Sequence, residues 1–133
     1  MKKAFSLLEL IFAIVVIGII ASVAIPKYLD TKNSAVASTI KRDISTATTS
    51  IQSYYLVNNE IDKISDAITL NEHNWKEIDD LEVAYKEGED TCVSLKVDEA
   101  SGSKVLSLSI SGSGPICKIL IEDGIVDTTY DLF

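Results

Sequence analysis

The chain has 133 residues, 47% of them hydrophobic, and a formal net charge of −8. This length leaves room for one modest domain besides an N-terminal segment. Residues 56–133 alone carry a net charge of −11, which argues against adhesion to nucleic acid or anionic lipid through charge.

The N-terminal segment has the length and composition of a membrane helix. Two lysines, Lys2 and Lys3, precede one acid, Glu9, and an uncharged apolar run from Leu10 to Pro26. As a helix, residues 5–26 would measure about 33 Å, which matches a hydrocarbon core of about 30 Å. The lysines favour a cytoplasmic N-terminus, so the bulk of the chain would lie outside. An acid inside a membrane is usually functional and has a partner.

The charge and hydrophobicity pattern of this segment also allows two other interpretations. An ordinary secretory signal peptide would use residues 10–21 as its apolar region and Ser22-Val23-Ala24 as its cleavage pattern, leaving Ile25 at the new terminus. Glu9 opposes this interpretation because it interrupts the apolar side early, and the cut would discard a helix that continues past Pro26. A simple signal anchor, with Glu9 turned toward the interface, is the third interpretation.

Residues 2–11, Lys-Lys-Ala-Phe-Ser-Leu-Leu-Glu-Leu-Ile, followed by the apolar run, closely resemble the class III leader of type IV pilins and type II secretion pseudopilins. In that family a prepilin peptidase cuts on the cytoplasmic face before the Phe and N-methylates the new terminus. The resemblance implies cleavage between Ala4 and Phe5, methylation of Phe5, and Glu9 as the assembly glutamate. The family usually has Gly before the cut, where this chain has Ala4.

Glu9 makes physical sense in this setting. A cut before Phe5 frees an α-amino group one helical turn from the Glu9 carboxylate. Opposite charges attract far more strongly in an apolar environment than in water, although both are desolvated there. In the family, the glutamate of an incoming subunit neutralises the amine of a neighbour. The alternative is pairing of Glu9 with its own amine, which would not drive assembly.

Gly18 and Pro26 flank the stretch from Ile19 to Ile25. Pro26 lacks an N–H and crowds the carbonyl of Ser22, and Gly18 lowers helix propensity by up to about 1 kcal/mol relative to Ala. The resemblance implies that this stretch can melt when subunits pack into a filament. The alternative is that both residues are simply tolerated, as is common in membrane helices.

Beyond Pro26 the hydrophobic pattern becomes one-sided. An apolar stripe at helical spacing predicts an amphipathic helix that ends near Val57, before Asn58 and Asn59. A coiled coil is disfavoured because the heptads are few and rich in Thr and Ser. The predicted stripe consists of Ile40, Ile44, Ala47, Ile51 and Tyr54 or Tyr55, and the predicted polar face consists of Lys41, Arg42, Asp43, Thr48 and Thr49.

The remaining residues predict a small head. Residues 60–80 look like short helices, with a turn over residues 71–74. Alternating apolar residues then predict strands, joined by turns at 100–103 and 111–115 in an antiparallel meander on the long helix. The predicted strands are residues 82–86, 91–97, 104–110, 116–122 and 125–130.

Cys92 and Cys117 each open one of these predicted strands. A pair of cysteines in a small exported domain is most often a disulfide, and many pilins carry one in the head. Closing a loop of this length stabilises a fold by roughly 3 kcal/mol in the chain-entropy model. Two buried free thiols are the alternative.

Catalytic and cofactor motifs are missing from the sequence. The single histidine, His73, lies in a polar turn without an obvious partner, and the chain has no phosphate loop, CxxC or zinc spacing. We therefore expect no enzyme, cofactor or metal. Acidic clusters in the head suit calcium chemically, but none has EF-hand spacing, so a solvated acidic face is the preferred interpretation.

Together these features predict an α+β, type IV pilin-like fold: a long N-terminal helix with an antiparallel β-sheet head packed on its C-terminal half. We expect a leader (1–4), an apolar transmembrane or filament-core half-helix (5–27), an amphipathic half-helix (28–57) and a globular periplasmic head (58–133). The runner-up is a secreted or anchored small β-rich binding module with an ordinary signal peptide.

The resemblance also implies a location and a set of partners. The subunit would cross the bacterial inner membrane once, with its head in the periplasm, and then enter a pilus or pseudopilus. Its partners would be the lipid bilayer, prepilin peptidase, the inner-membrane assembly platform, and other copies or related pilin-like subunits. No direct contact with nucleic acid is expected.

Overall fold

The structure, a computed structural model, describes residues 4–132, so the leader lysines Lys2 and Lys3 lie outside the described residues. The chain divides into two compact units, one ending at Asn33 and the other beginning at Ser34. The elements in chain order are α1 (Leu7–Asn58), α2 (Ile64–Ala67), β1 (Trp75–Asp79), β2 (Glu82–Glu87), β3 (Asp90–Ala100), β4 (Ser103–Ile110), α3 (Pro115–Glu122) and β5 (Thr128–Asp131).

The long helix ends where its sequence predicts. Asn59 follows the last residue of α1 and adopts a left-handed conformation with φ of 61°. Its N–H donates to the Tyr55 carbonyl at 2.7 Å, and the Asn58 side-chain amide donates to the Tyr54 carbonyl at 2.9 Å. Asn tolerates this conformation better than most residues, so the pair Asn58-Asn59 supplies both the stop and its hydrogen bonds.

The predicted apolar stripe of α1 is confirmed from Ser34 onward. Ile40, Ile44, Ala47 and Ile51 are buried, and Tyr54 and Tyr55 are half-buried against the same core. The predicted polar face is wrong at Thr48, which is only 8% exposed. Its hydroxyl donates to the Ile44 carbonyl at 2.8 Å, so the side chain enters the core with its polar group satisfied inside the helix.

The five strands form one antiparallel sheet in the order β1-β2-β3-β4-β5, which confirms the predicted meander. The predicted strands at 82–86, 91–97 and 104–110 correspond to β2, β3 and β4, and the last predicted strand is observed as β5. The turn between β3 and β4 contains Ser101 and Gly102, both at positive φ, which matches the twist of a two-residue hairpin.

One face of the sheet packs on the second half of α1 within the unit that begins at Ser34. The core combines helix residues with side chains from the strands and from α3, among them Ile40, Ile51, Leu95, Leu106 and Leu120. Burying the helix stripe and the strand face against each other removes both from water. The architecture is α+β and pilin-like, as predicted.

Residues 75–79 correct part of the prediction of short helices over 60–80. α2 confirms it for residues 64–67, but Trp75–Asp79 is the edge strand β1. The strand pairs with β2, in register Trp75 with Tyr85, and buries Trp75 while its other residues stay exposed. Pairing with β2 determines this conformation, and the sequence pattern of residues 60–80 does not include that partner.

Residues 116–122 correct a second prediction: they form α3, not a strand. Pro115 occupies the start of the helix, where its missing N–H costs nothing and its fixed φ suits the first turn. Cys117 and Leu120, three residues apart, both point into the core. Cys117 therefore lies in the first turn of a helix. The isoleucine-rich composition of residues 116–122 favours a strand, but packing of Cys117 and Leu120 into the core outweighs that preference.

Candidate functional site at the N-terminus

The first unit presents an uncovered apolar surface. Every described residue from Ala4 to Ile20 is exposed, and Phe5 is 84% exposed. α1 is long and apolar enough to cross a membrane, a test that an N-terminal signal sequence passes as well. A surface of this size needs a lipid or protein cover.

Glu9 and Ser6 form a reciprocal pair at the start of α1. The Glu9 carboxylate accepts from the Ser6 backbone N–H at 3.1 Å and from the Ser6 hydroxyl at 3.2 Å. In return, the Glu9 N–H donates to the Ser6 hydroxyl oxygen at 3.2 Å. This is a capping box, which satisfies N–H groups that a helix start leaves unpaired. The signal for this box in the sequence is the Ser-x-x-Glu spacing of residues 6–9, which the predictions from sequence above do not include.

The charge of Glu9 also suits its position. It lies in the first turn of α1, where the helix dipole favours a negative group by some tenths of a kcal/mol. Both hydrogen bonds from Ser6 end on the same oxygen, Oε2. Among residues 4–132, no hydrogen bond is made to Oε1 of this carboxylate, which therefore has room for a further donor.

The predicted cleavage position immediately precedes this box. Ala4, Phe5 and Ser6 have no regular secondary structure, and all three are exposed. A peptidase needs an accessible segment outside regular secondary structure, and these residues meet both conditions. The assignments of Ala4 and Phe5 to cleavage, of Phe5 to methylation and of Glu9 to assembly remain predictions.

Gly18 and Pro26 both lie inside α1, which is helical on either side of each. A Cβ added at Gly18 would meet no atom within 4 Å, so nothing in the described chain requires a glycine there. Near Pro26 the Ser22 hydroxyl donates to the Ile19 carbonyl at 2.7 Å, a bond typical of polar residues in apolar helices. Their role in helix flexibility remains a prediction.

In the head, Cys92 and Cys117 are joined by a disulfide, as predicted, with their Cα atoms 5.8 Å apart. The bridge links β3 to the first turn of α3. Gly112, at φ of 151°, precedes that helix, and a Cβ there would approach the Cys117 sulfur to 3.1 Å. The glycine gives the loop room to pass the bridge.

Glu87 holds the start of α3 beside the disulfide, a role that local patterns do not reveal. Its two carboxylate oxygens accept from the backbone N–H groups of Ile116 at 2.8 Å and Cys117 at 3.2 Å. A Cβ at Gly114 would overlap that carboxylate. Negative charge at a helix N-terminus is favourable, and here the acid comes from the end of β2.

Two polar contacts tie α1 to the head within the second unit. The Trp75 indole N–H donates to the Asp43 carboxylate at 3.0 Å, and the Lys41 ammonium lies 3.6 Å from an oxygen of Asp123. Asp43 and Lys41 are half-buried rather than fully exposed. Sequence periodicity assigned both to the solvent face because they lie at the edge of the apolar stripe.

Tyr85 is the one residue in the described chain with a clearly shifted pKa. Burial, which disfavours the phenolate, raises its pKa above the ordinary 10.0, and the nearby negative charge of Glu87 raises it further. Only 5% of Tyr85 is exposed. The residue belongs to the core.

Neither the single histidine nor the acidic residues of the range 4–132 form a metal site. His73 is exposed in a turn, where its backbone N–H donates to the Asn71 side-chain oxygen at 2.9 Å. In this range no three His, Cys, Asp or Glu side chains come together as metal ligands. The chemistry that the described residues do support is concentrated at the N-terminal carboxylate and its apolar helix.

Comparison with known proteins gives one match. Residues 1–25 match the family model described as the prokaryotic N-terminal methylation motif. No curated protein and no solved structure matches the chain. The matched residues contain the Ser6–Glu9 capping box and most of the exposed apolar surface.

Proposed function

Residues 1–25 carry the class III prepilin signal of type IV pilins and pseudopilins, and from this premise we propose that the chain is a structural subunit of a pilus or pseudopilus. Prepilin peptidase cuts the precursor between Ala4 and Phe5 and methylates the Phe5 amine. The mature subunit then polymerises through its N-terminal helix. Its role is structural, not enzymatic.

The observation that carries this proposal is the position of Glu9. A carboxylate stands in the first turn of α1, before an apolar segment that has no charge from Leu10 to Pro26 and is exposed as far as Ile20, and one of its oxygens accepts both hydrogen bonds from Ser6. The bonds to Oε2 fix the whole carboxylate, so they also fix the position of the other oxygen, Oε1. Oε1 can therefore accept a hydrogen bond from an ammonium group while the capping box stays intact. The partner in this proposal is the Phe5 amine of an adjacent subunit.

The energetics favour assembly only where the helix is already shielded from water. Lipid covers the apolar surface before assembly and other helices cover it afterwards, so packing and the ion pair supply the difference. The attraction between carboxylate and amine is large in a low dielectric, and each group left alone there would be costly. Repulsion between acidic heads opposes assembly, and salt screens it.

The proposal divides the chain by task. Residues 1–4 are the leader, 5–27 the membrane or filament-core half-helix, 28–57 the half-helix that carries the head, and 58–133 the periplasmic head. The subunit crosses the inner membrane once before an assembly platform extracts it into a filament. Its partners there are other copies or related pilin-like subunits.

The test is a charge-removing change at Glu9 in cells that process and assemble the chain. Glu9→Gln keeps the shape of the side chain and an acceptor oxygen but removes the charge. We expect the amount of filament recovered by shearing to fall at least about tenfold, because the ion pair with the amine is lost. Glu89→Gln, an exposed acid of the head, is the matched control and leaves filaments at the normal level. Normal filaments with Glu9→Gln would overturn the assembly role.

A further inference from the structure

The outer face of α1 in the second unit is almost free of charge. Twelve helix residues from Ser34 to Asn58 are exposed, and Arg42 is the one charged residue among them. Eight of the twelve are Ala, Ser or Thr. The solvent face of an amphipathic helix in an acidic protein ordinarily carries several charges, so this face departs from the ordinary pattern.

The neighbouring charges on the helix are already used inside the molecule. Lys41 pairs with Asp123, and Asp43 accepts the Trp75 indole N–H. Arg42 lies between them and turns outward, and it forms no ion pair with any residue in the range 4–132. In the part of α1 from Ser34 to Asn58, Arg42 is therefore a cation that the head of the same chain does not neutralise.

The surface best suited to that cation belongs to a second copy of this chain. Residues 56–133 carry a net charge of −11, and exposed acids stand at the tips of the sheet, for example Asp80 in the turn between β1 and β2. A guanidinium binds carboxylates through two parallel hydrogen bonds. The exposed helix residues one turn before and after Arg42 are Ser38, Thr39, Ser45 and Thr46, which are small and uncharged and allow close approach.

We propose that the outer face of α1 around Arg42 is a contact surface between copies, on which Arg42 pairs with a head carboxylate of the next subunit. This inference rests on the proposed assembly into filaments. The contact adds an attraction between a positive and a negative side chain of neighbouring subunits whose acidic heads otherwise repel each other. It also fixes the position of one subunit along the next.

Charge reversal tests the contact, with filaments of the full chain as the readout. We expect Arg42→Glu to lower the sedimentable filament fraction by about tenfold, because the change replaces attraction by repulsion at the interface. Arg42→Lys should stay within about twofold of the unchanged chain, since the charge remains. Lys76→Glu, an exposed residue of β1 with the same change in charge, should do likewise.

Cross-linking identifies the partner directly. A carbodiimide joins amines to carboxylates in contact, so Arg42→Lys filaments should yield dimers in which position 42 is bonded to an acid of the head. Filaments of the unchanged chain should yield no bond at that position. Links from position 42 only within one chain, or normal filaments with Arg42→Glu, would overturn the inference. In either case filaments of the unchanged chain would leave the proposed function standing, whereas no filaments at all would overturn both.

Discussion

The carboxylate of Glu9 and the hydroxyl of Ser6 cap each other at the first turn of α1, each accepting a hydrogen bond from the other residue. The pair holds the single acid of the apolar segment in a defined position. The position lies one helical turn beyond the bond that prepilin peptidase is expected to cut.

Removing the Ser6 hydroxyl should loosen this first turn. Losing a Ser cap costs about 1 kcal/mol, so we expect Ser6→Ala to speed hydrogen exchange at the Glu9 amide by about fivefold in detergent micelles. Ser22→Ala removes a hydroxyl that bonds to a carbonyl deeper in the helix and should leave that amide unchanged. Equal exchange in Ser6→Ala and the unchanged chain would mean that the cap does not hold the turn.

The Asp43–Trp75 hydrogen bond should contribute to attachment of the head to the helix. Asp43→Ala leaves a partly buried indole N–H without its partner, and we expect a loss of about 1–3 kcal/mol in the free energy of unfolding. A double-mutant cycle with Trp75→Phe isolates the pair from the separate effects of each change. Additive effects within experimental error would show that the contact does not couple the two elements.

Glu87 should stabilise α3 together with the disulfide. Glu87→Gln weakens two hydrogen bonds that the side chain accepts from backbone N–H groups. We expect it to lower the free energy of unfolding by about 1–3 kcal/mol, measured by thermal unfolding of the full chain. Glu89→Gln, on the same β2–β3 turn, is the control, because that side chain is exposed.

Reducing the bridge between Cys92 and Cys117 should cost roughly 3 kcal/mol by the chain-entropy relation. Because Glu87 binds the backbone N–H of Cys117 and the bridge holds the sulfur of the same residue, their combined effect should differ from the sum of the separate effects. Simple additivity would contradict a shared role in fixing α3.

Tyr85 should make the fold sensitive to strong base. Its pKa is raised in the folded state, so the folded chain keeps a proton that the unfolded chain loses. The associated stability is complete below the unfolded pKa of about 10, and it is lost as pH rises through the folded pKa. Tyr85→Phe should remove this part of the alkaline decline, whereas Tyr28→Phe, at an exposed position, should not. An identical decline in all three chains would contradict the assignment.

Much of the fold follows from local patterns. The burial of Ile40, Ile44 and Ile51 follows from helical spacing, and alternation predicts β3 and β4, because each pattern places one apolar face toward a core. The end of α1 at Asn58 follows from residue types that favour a cap.

Other features depend on partners far along the chain. Trp75–Asp79 becomes a strand because β2 pairs with it, and Pro115–Glu122 becomes a helix beside a carboxylate 29 residues earlier, at Glu87. No local window contains these partners. The Ser6–Glu9 capping box at the N-terminus is different, because both residues lie within one helical turn. Its motif can therefore be recognised in the sequence alone.

The mass of the mature N-terminal peptide, measured on chain recovered from membranes that contain a prepilin peptidase, tests the central claim most directly. The account predicts a peptide that begins at Phe5 and carries one N-terminal methyl group. A chain that begins at Ile25, or one that retains Met1 in the presence of the active peptidase, would contradict it.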